Sequence, residues 1–177
     1  NPARQASINA GMPFSTPAYI VNQVCGSGLR AVVSGFQSIK LGESKYVIAG
    51  GQENMSASQH SILFRNKKKI LIEELKDTMI IDGLLDAFNN YHMGVTAENV
   101  AKKFKITREK QDKFALSSQQ KTQIAIKENK FDNELVKIIQ NSGYLIKDEH
   151  PRNGLKIDDL KKLKTVFLEN GTVTPGN

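Results

Sequence analysis

The feature that most constrains this chain is one stretch of helical period set between two short apolar runs. From Ser27 the residues Leu29, Val32, Val33, Phe36 and Ile39 recur at steps of three and four, the period of one helix face, and Gly42 follows as a stop. Before this stretch stands "AYIV", Ala18 to Val21, behind the breakers Pro13 and Pro17; after it comes "YVIAGG", Tyr46 to Gly51. Both runs are short, branched and apolar, as buried strands are. Strand, helix and strand within about thirty residues predict an α/β unit.

The remaining elements follow from caps and periodicity. "NPARQASINAG" predicts a first helix with Asn1 as N-cap, Pro2 in the first turn and Gly11 as its stop. Thr96 is the expected cap of a helix in "NNYHMGVTAENVAKKF". Thr107 opens "REKQDKFALSSQQKTQIAIKE", whose Phe114, Ala115, Ser118, Thr122 and Ala125 fall on one face. The branched residues of "ELVKII" tilt it towards strand, "IDDLKKLKTVF" resumes helical spacing through Leu160, Leu163 and Phe167, and "GTVT" is strand-like. Residues 1–55 therefore read as part of an α/β core, 56–167 as a mostly helical insertion, and 168–177 as a strand returning to the core.

Composition excludes several classes of function. The chain of 177 residues has one cysteine, so no internal disulfide forms, and a reducing, cytoplasmic setting is expected. No apolar run reaches the roughly 20 residues of a membrane span. The formal charge of +7 raises the question of a polyanionic partner. Only Lys67-Lys68-Lys69 forms a basic run, and no aromatic residues interleave with it, so neither nucleic acid nor membrane is expected as a partner. His60, His92 and His150 lie far from one another and from Cys25, which argues against a metal site. The chain begins at Asn rather than Met and stops at "NGTVTPGN", and so reads as a fragment.

The single cysteine, Cys25, lies in "VNQVCGSGLRAV", between the first apolar run and the amphipathic helix. A helix N-terminus favours an anion, and its first-turn N–H groups are suited to stabilising an oxyanion. Gly26, Ser27 and Gly28 add little bulk, so a ligand has room to approach the sulfur. Free cysteine is also among the most often buried residue types. The residues alone leave nucleophile and inert core thiol both open.

Taken in order, "NPARQ", "NQVCGSGLRAV", "VIAGGQENMS", "DGLLDAF", "YHMGVTAENVA" and "NGTVTPGN" resemble blocks of the thiolase family, and they span essentially the whole chain. "HMG" at His92 to Gly94 is most similar to the members that make acetoacetyl-CoA. The resemblance implies a thiolase-like α/β fold: part of the N-terminal αβαβα core, with a mostly helical loop domain inserted. It also implies that Cys25 is the nucleophile carrying an acyl group as a thioester, in the condensation of two acetyl-CoA molecules or the reverse thiolysis.

By the same resemblance Leu84, His92, Met93, Arg152, Phe167 and Gly176 line the coenzyme A or acyl pocket, with coenzyme A as substrate and no tightly bound cofactor. The stretch Arg65 to Lys69 corresponds to a loop for subunit association, implying a homodimer or homotetramer. The family's remaining catalytic groups lie in its C-terminal half, so the isolated chain is expected to be inactive. Two alternatives stay open: a degradative 3-ketoacyl-CoA thiolase of longer acyl range, and a non-catalytic relative that binds coenzyme A. Asp159 stands where a small hydroxyl residue is expected, and Pro175 where alanine is more usual.

Overall fold

The computed structural model describes residues 1–65, 69, 71–140 and 143–177, which fall into two compact units, Asn1–Gly83 and Leu84–Asn177. Of the basic stretch at Arg65 to Lys69, positions 66–68 lie outside the described residues.

The first unit opens with helix α1, Pro2–Asn9. Asn1 caps it, its Oδ1 accepting from the Arg4 N–H at 3.0 Å, as the sequence predicts. The Arg4 guanidinium then donates to the carbonyls of Phe14 and Thr16, which binds the following loop to the helix. Helix α2, Ser27–Lys40, has the predicted extent and gives way at Gly42, whose φ of +76° suits a residue without Cβ. Beyond it lie a two-residue antiparallel pair, β1 (His60–Ser61) with β2 (Lys76–Asp77), and a π-helical turn over Met79–Leu84.

The two apolar runs flanking α2 differ from expectation. Among the described residues neither Ala18 to Val21 nor Tyr46 to Gly51 joins a strand ladder. The alternation expected of a strand survives in the second run. Val47 and Ala49 pack on Gly35 of α2, while Tyr46 and Ile48 are 92% and 90% exposed. The layer contact of an α/β unit is therefore formed on one face only.

The second unit is built on α3, Met93–Lys103, and α4, Arg108–Lys127. Thr107 caps α4 as expected, accepting from the Lys110 N–H. The cap of α3 is His92 and not Thr96: the imidazole Nδ1 accepts from the Gly94 N–H at 3.0 Å, and Thr96 falls inside the first turns with its hydroxyl buried. Phe114 is exposed on α4, so the packed face runs instead through Arg108, Gln111, Asp112, Ala115 and Gln119.

Strands β3 (Ile138–Gln140) and β4 (Gly143–Leu145) pair antiparallel, so the strand expected over Glu134 to Ile139 begins later than its branched residues suggest. Helix α5 covers only Ile157–Lys161. Gly171 to Thr174 forms no ladder and is held instead by side chains of α3 and α4. Among the described residues of this unit Ala101 and Leu160 are buried apolar side chains, and Glu98, Asp112 and Thr174 are buried polar ones.

Candidate active site

In the first unit Cys25 is exposed, with a free thiol, in a tight turn that feeds α2. The turn closes on itself: Gly26 N–H donates to Gln23 O and Ser27 N–H to Val24 O. Those two first-turn amides are engaged locally and are not free to meet an oxyanion. Gly28 has open space around it, so the approach beside the cysteine is uncrowded on that side.

In the second unit His92 and Phe167 come together, their ring centroids 4.8 Å apart and their planes 26° from parallel. Because His92 Nδ1 accepts from Gly94, Nε2 is the ring nitrogen that is left to donate. Backbone pairing between Leu85 and His92, with the Asp86 N–H donating to Tyr91 O at 2.9 Å, fixes the entry to α3 just after Leu84. Asp86 stabilises this turn by accepting from Asn89 Nδ2 and from the N–H groups of Phe88 and Asn89, which hold its carboxyl below the usual range, the Asn89 side chain most. Met93 is the first residue of α3 and partly exposed.

Gly176 sits in the chain's last turn, its N–H donating to Thr174 Oγ1 and its α-carbon packed beside Leu160 and Leu163. Two buried carboxylates hold this turn. Glu98 accepts from Thr172 N–H (2.7 Å), Val173 N–H (2.8 Å) and the Thr172 hydroxyl (2.9 Å). Burial by itself would raise the Glu98 pKa, and these three donated bonds outweigh it and leave the carboxyl lowered. Asp112 accepts from Asn177 Nδ2 at 2.7 Å and from Arg108 Nε, while Arg108 Nη2 donates to Leu160 O and Leu163 O. One arginine thereby joins α4, α5 and the final turn.

Arg152 is exposed, and its backbone is gripped by two glutamines one turn apart on α4. Gln119 Oε1 accepts from its N–H at 2.8 Å, and Gln123 Nε2 donates to its carbonyl. Asp159 caps α5, its Oδ2 accepting from the Lys156 N–H at 3.0 Å. The carboxylate that stands where a small hydroxyl residue is expected is thus partly engaged by backbone.

Sequence reading missed Glu98, Asp112, Gln119 and Gln123. As polar residues at helical positions they look like a solvated face, and only Glu98 within the quoted block "YHMGVTAENVA" carried any signal. Among the described residues no helix is long and apolar enough to cross a membrane.

A family model described as "Thiolase, N-terminal domain" matches residues 1–177. The chain is 50% identical to an acetyl-CoA acetyltransferase of Allochromatium vinosum and 48% identical to a cytosolic acetyl-CoA acetyltransferase of Rattus norvegicus, in each case over 100% of this chain and 46% of the relative. The fold is similar to the crystal structure of the Bacillus anthracis acetyl-CoA acetyltransferase, with a TM-score of 0.91 and 36% identity, over 100% of this chain and 46% of that one. The chain thus spans about half the length of the relatives it matches. With an exposed cysteine at the head of α2 and a family match along its entire length, the chain belongs to the thiolase family and has the α/β thiolase fold of its N-terminal domain.

Proposed function

We propose that the full-length protein is an acetyl-CoA C-acetyltransferase that uses Cys25 as its acyl carrier. The observation that carries this reading is the exposed Cys25 thiol at the start of α2, in a chain similar along its whole length to relatives named acetyl-CoA acetyltransferase. Thiolate attack on the thioester carbonyl of acetyl-CoA forms a new C–S bond to Cys25. The old C–S bond breaks, and coenzyme A leaves as a thiolate that takes up the proton lost from Cys25. A base then removes an α-proton from a second acetyl-CoA. The resulting carbanion attacks acetyl-Cys25, making a C–C bond and returning the electron pair to the cysteine sulfur, with acetoacetyl-CoA as product. A thiolate serves both steps because it attacks a thioester readily and leaves from one readily.

Leu84, His92, Met93, Arg152, Phe167 and Gly176 are the residues proposed to receive coenzyme A. The stacked His92 and Phe167 rings give a flat slab that suits the pantetheine and acyl end, with Met93 beside His92 in sequence, and a guanidinium such as that of Arg152 both stacks and pairs with anions, which supports a place near the nucleotide end. We further propose that 1–55 belongs to the core that carries the nucleophile, that 56–167 holds coenzyme A, and that 168–177 leads back to the core. The protein works as a homo-oligomer in the cytoplasm on this reading, in keeping with rodent relatives named cytosolic. The base and the acid that protonates coenzyme A are expected outside this chain, so the isolated chain should not turn over.

The test is the intact mass of the full-length protein after mixing with acetyl-CoA, run beside Cys25→Ala. An acetyl adduct on the native protein alone supports the reading. No adduct on a folded native protein overturns it in favour of a non-catalytic relative, and faster thiolysis of long than of short 3-ketoacyl-CoA would reassign the substrate.

A further inference from the structure

The turn that presents Cys25 contains a backbone conformation its own sequence does not favour. Val24 has φ +47°, in the left-handed region, and it is neither glycine nor asparagine but a β-branched residue, for which that region is least accessible. Such strain persists only where neighbouring groups impose it.

Those groups are identifiable. The Ser27 hydroxyl accepts from the Gln23 N–H at 2.8 Å and donates to the Val24 carbonyl at 2.7 Å, so one side chain ties the peptide after the strained residue to the backbone one residue before it. Asn22 Oδ1 accepts from the Val24 N–H at 3.0 Å. Arg30 Nε, one turn further along α2, donates to Gln23 Oε1 at 3.0 Å and ties the turn to the helix body.

The Val24–Cys25 peptide follows directly from this held residue. A change in the Val24 backbone angles would rotate the Cys25 Cα–Cβ bond, and with it the sulfur, relative to the axis of α2. A thioester carbonyl must meet the sulfur along a defined line of attack, whereas a small freely diffusing alkylating agent meets it from any open side.

Resting on the assignment of Cys25 as acyl carrier, we propose that Ser27 is a positioning residue: its hydroxyl locks Val24 in the left-handed conformation and so aims the Cys25 sulfur for acyl transfer. Gln23 and Asn22 complete the lock, and Arg30 braces it.

The experiment compares, in the full-length protein, the rate of Cys25 acetylation by acetyl-CoA with its rate of alkylation by iodoacetamide. Ser27→Ala slows acetylation by about tenfold or more and leaves alkylation within about twofold, since only the first reaction needs the aimed geometry. Ser27→Thr keeps the hydroxyl and restores acetylation. Val24→Gly combined with Ser27→Ala also restores much of the rate, because glycine enters the left-handed region without the lock.

Acetylation by Ser27→Ala at the native rate overturns the proposal, as does an equal loss of both reactions or a double variant as slow as Ser27→Ala alone. Should Ser27→Ala fail to fold, Asn22→Ala, which removes only the bond to the Val24 N–H, is read by the same split. A native protein that takes up no acetyl group at all would instead overturn the assignment of Cys25, an outcome distinct from any of these.

Discussion

Gly94 lies against the ring of Phe167, which fills the space that a Cβ at position 94 would occupy. That ring is also the one stacked on His92, and His92 in turn accepts the Gly94 N–H. Glycine, imidazole and phenyl ring therefore form a closed set in which none can move alone.

Gly94→Ala should displace Phe167 from His92. Overpacking of this kind costs about 1–3 kcal/mol, more than the helix propensity that alanine gains. Thermal unfolding should show the loss, and in the full-length protein the KM for acetyl-CoA should rise more than kcat falls. An unchanged melting temperature would mean that Phe167 has another place to go.

Glu98 links stability to acid. Its folded pKa lies below the ordinary glutamate value because three donated hydrogen bonds outweigh the opposing effect of burial. Its contribution is therefore fully present above that ordinary value and is lost as pH falls through the lower folded one. Glu98→Gln should lower stability near neutrality by about 1–2 kcal/mol and flatten the acid limb of a stability–pH profile. Parallel acid limbs for the two proteins would contradict this.

Asp112 is 1% exposed and receives both Arg108 and Asn177. Asp112→Ala takes the one carboxylate from a partly buried guanidinium, leaving it the Leu160 and Leu163 carbonyls, and removing one partner of a buried pair costs about 3–5 kcal/mol. Chemical denaturation should find it the most damaging of these substitutions. A loss under about 1 kcal/mol would mean that the final turn is held mainly by Glu98.

Gly35 sets the spacing between α2 and the segment after it. A Cβ there would lie 2.9 Å from Val47 Cγ1 but 3.4 Å from Val47 Cβ. Gly35→Ala should therefore destabilise despite its helix propensity, while Gly35→Ala with Val47→Ala should recover up to about 1 kcal/mol relative to Val47→Ala alone. Denaturation of the four proteins of the cycle measures the coupling directly.

What was legible depended on the range of the interaction. The α2 period, the Asn1 and Thr107 caps and the turn at Gly42 are local, and residue order alone specifies them. The α3 cap was misplaced because Thr is a common cap and His is not, so Thr96 drew the assignment away from His92. Ala18 to Val21 and Tyr46 to Gly51 have strand composition but lack a ladder, since pairing is a property of two segments and not of one. The resemblance blocks contain Cys25, His92 and Gly176, but nothing in their order shows that Glu98 holds the turn at Thr172 and Val173 or that Phe167 stacks on His92.

By itself, the sequence determined the helical periods, the cap at Asn1, the lone thiol next to a helix start and membership of the thiolase family, for these rest on neighbouring residues or on ordered blocks of them. Only the tertiary structure decided that Gly94 must remain without a side chain beneath Phe167, and that Glu98 is buried beneath a turn 74 residues further along. The physical reason is that steric exclusion and the pairing of buried charge act between residues close in space, whatever their separation along the chain.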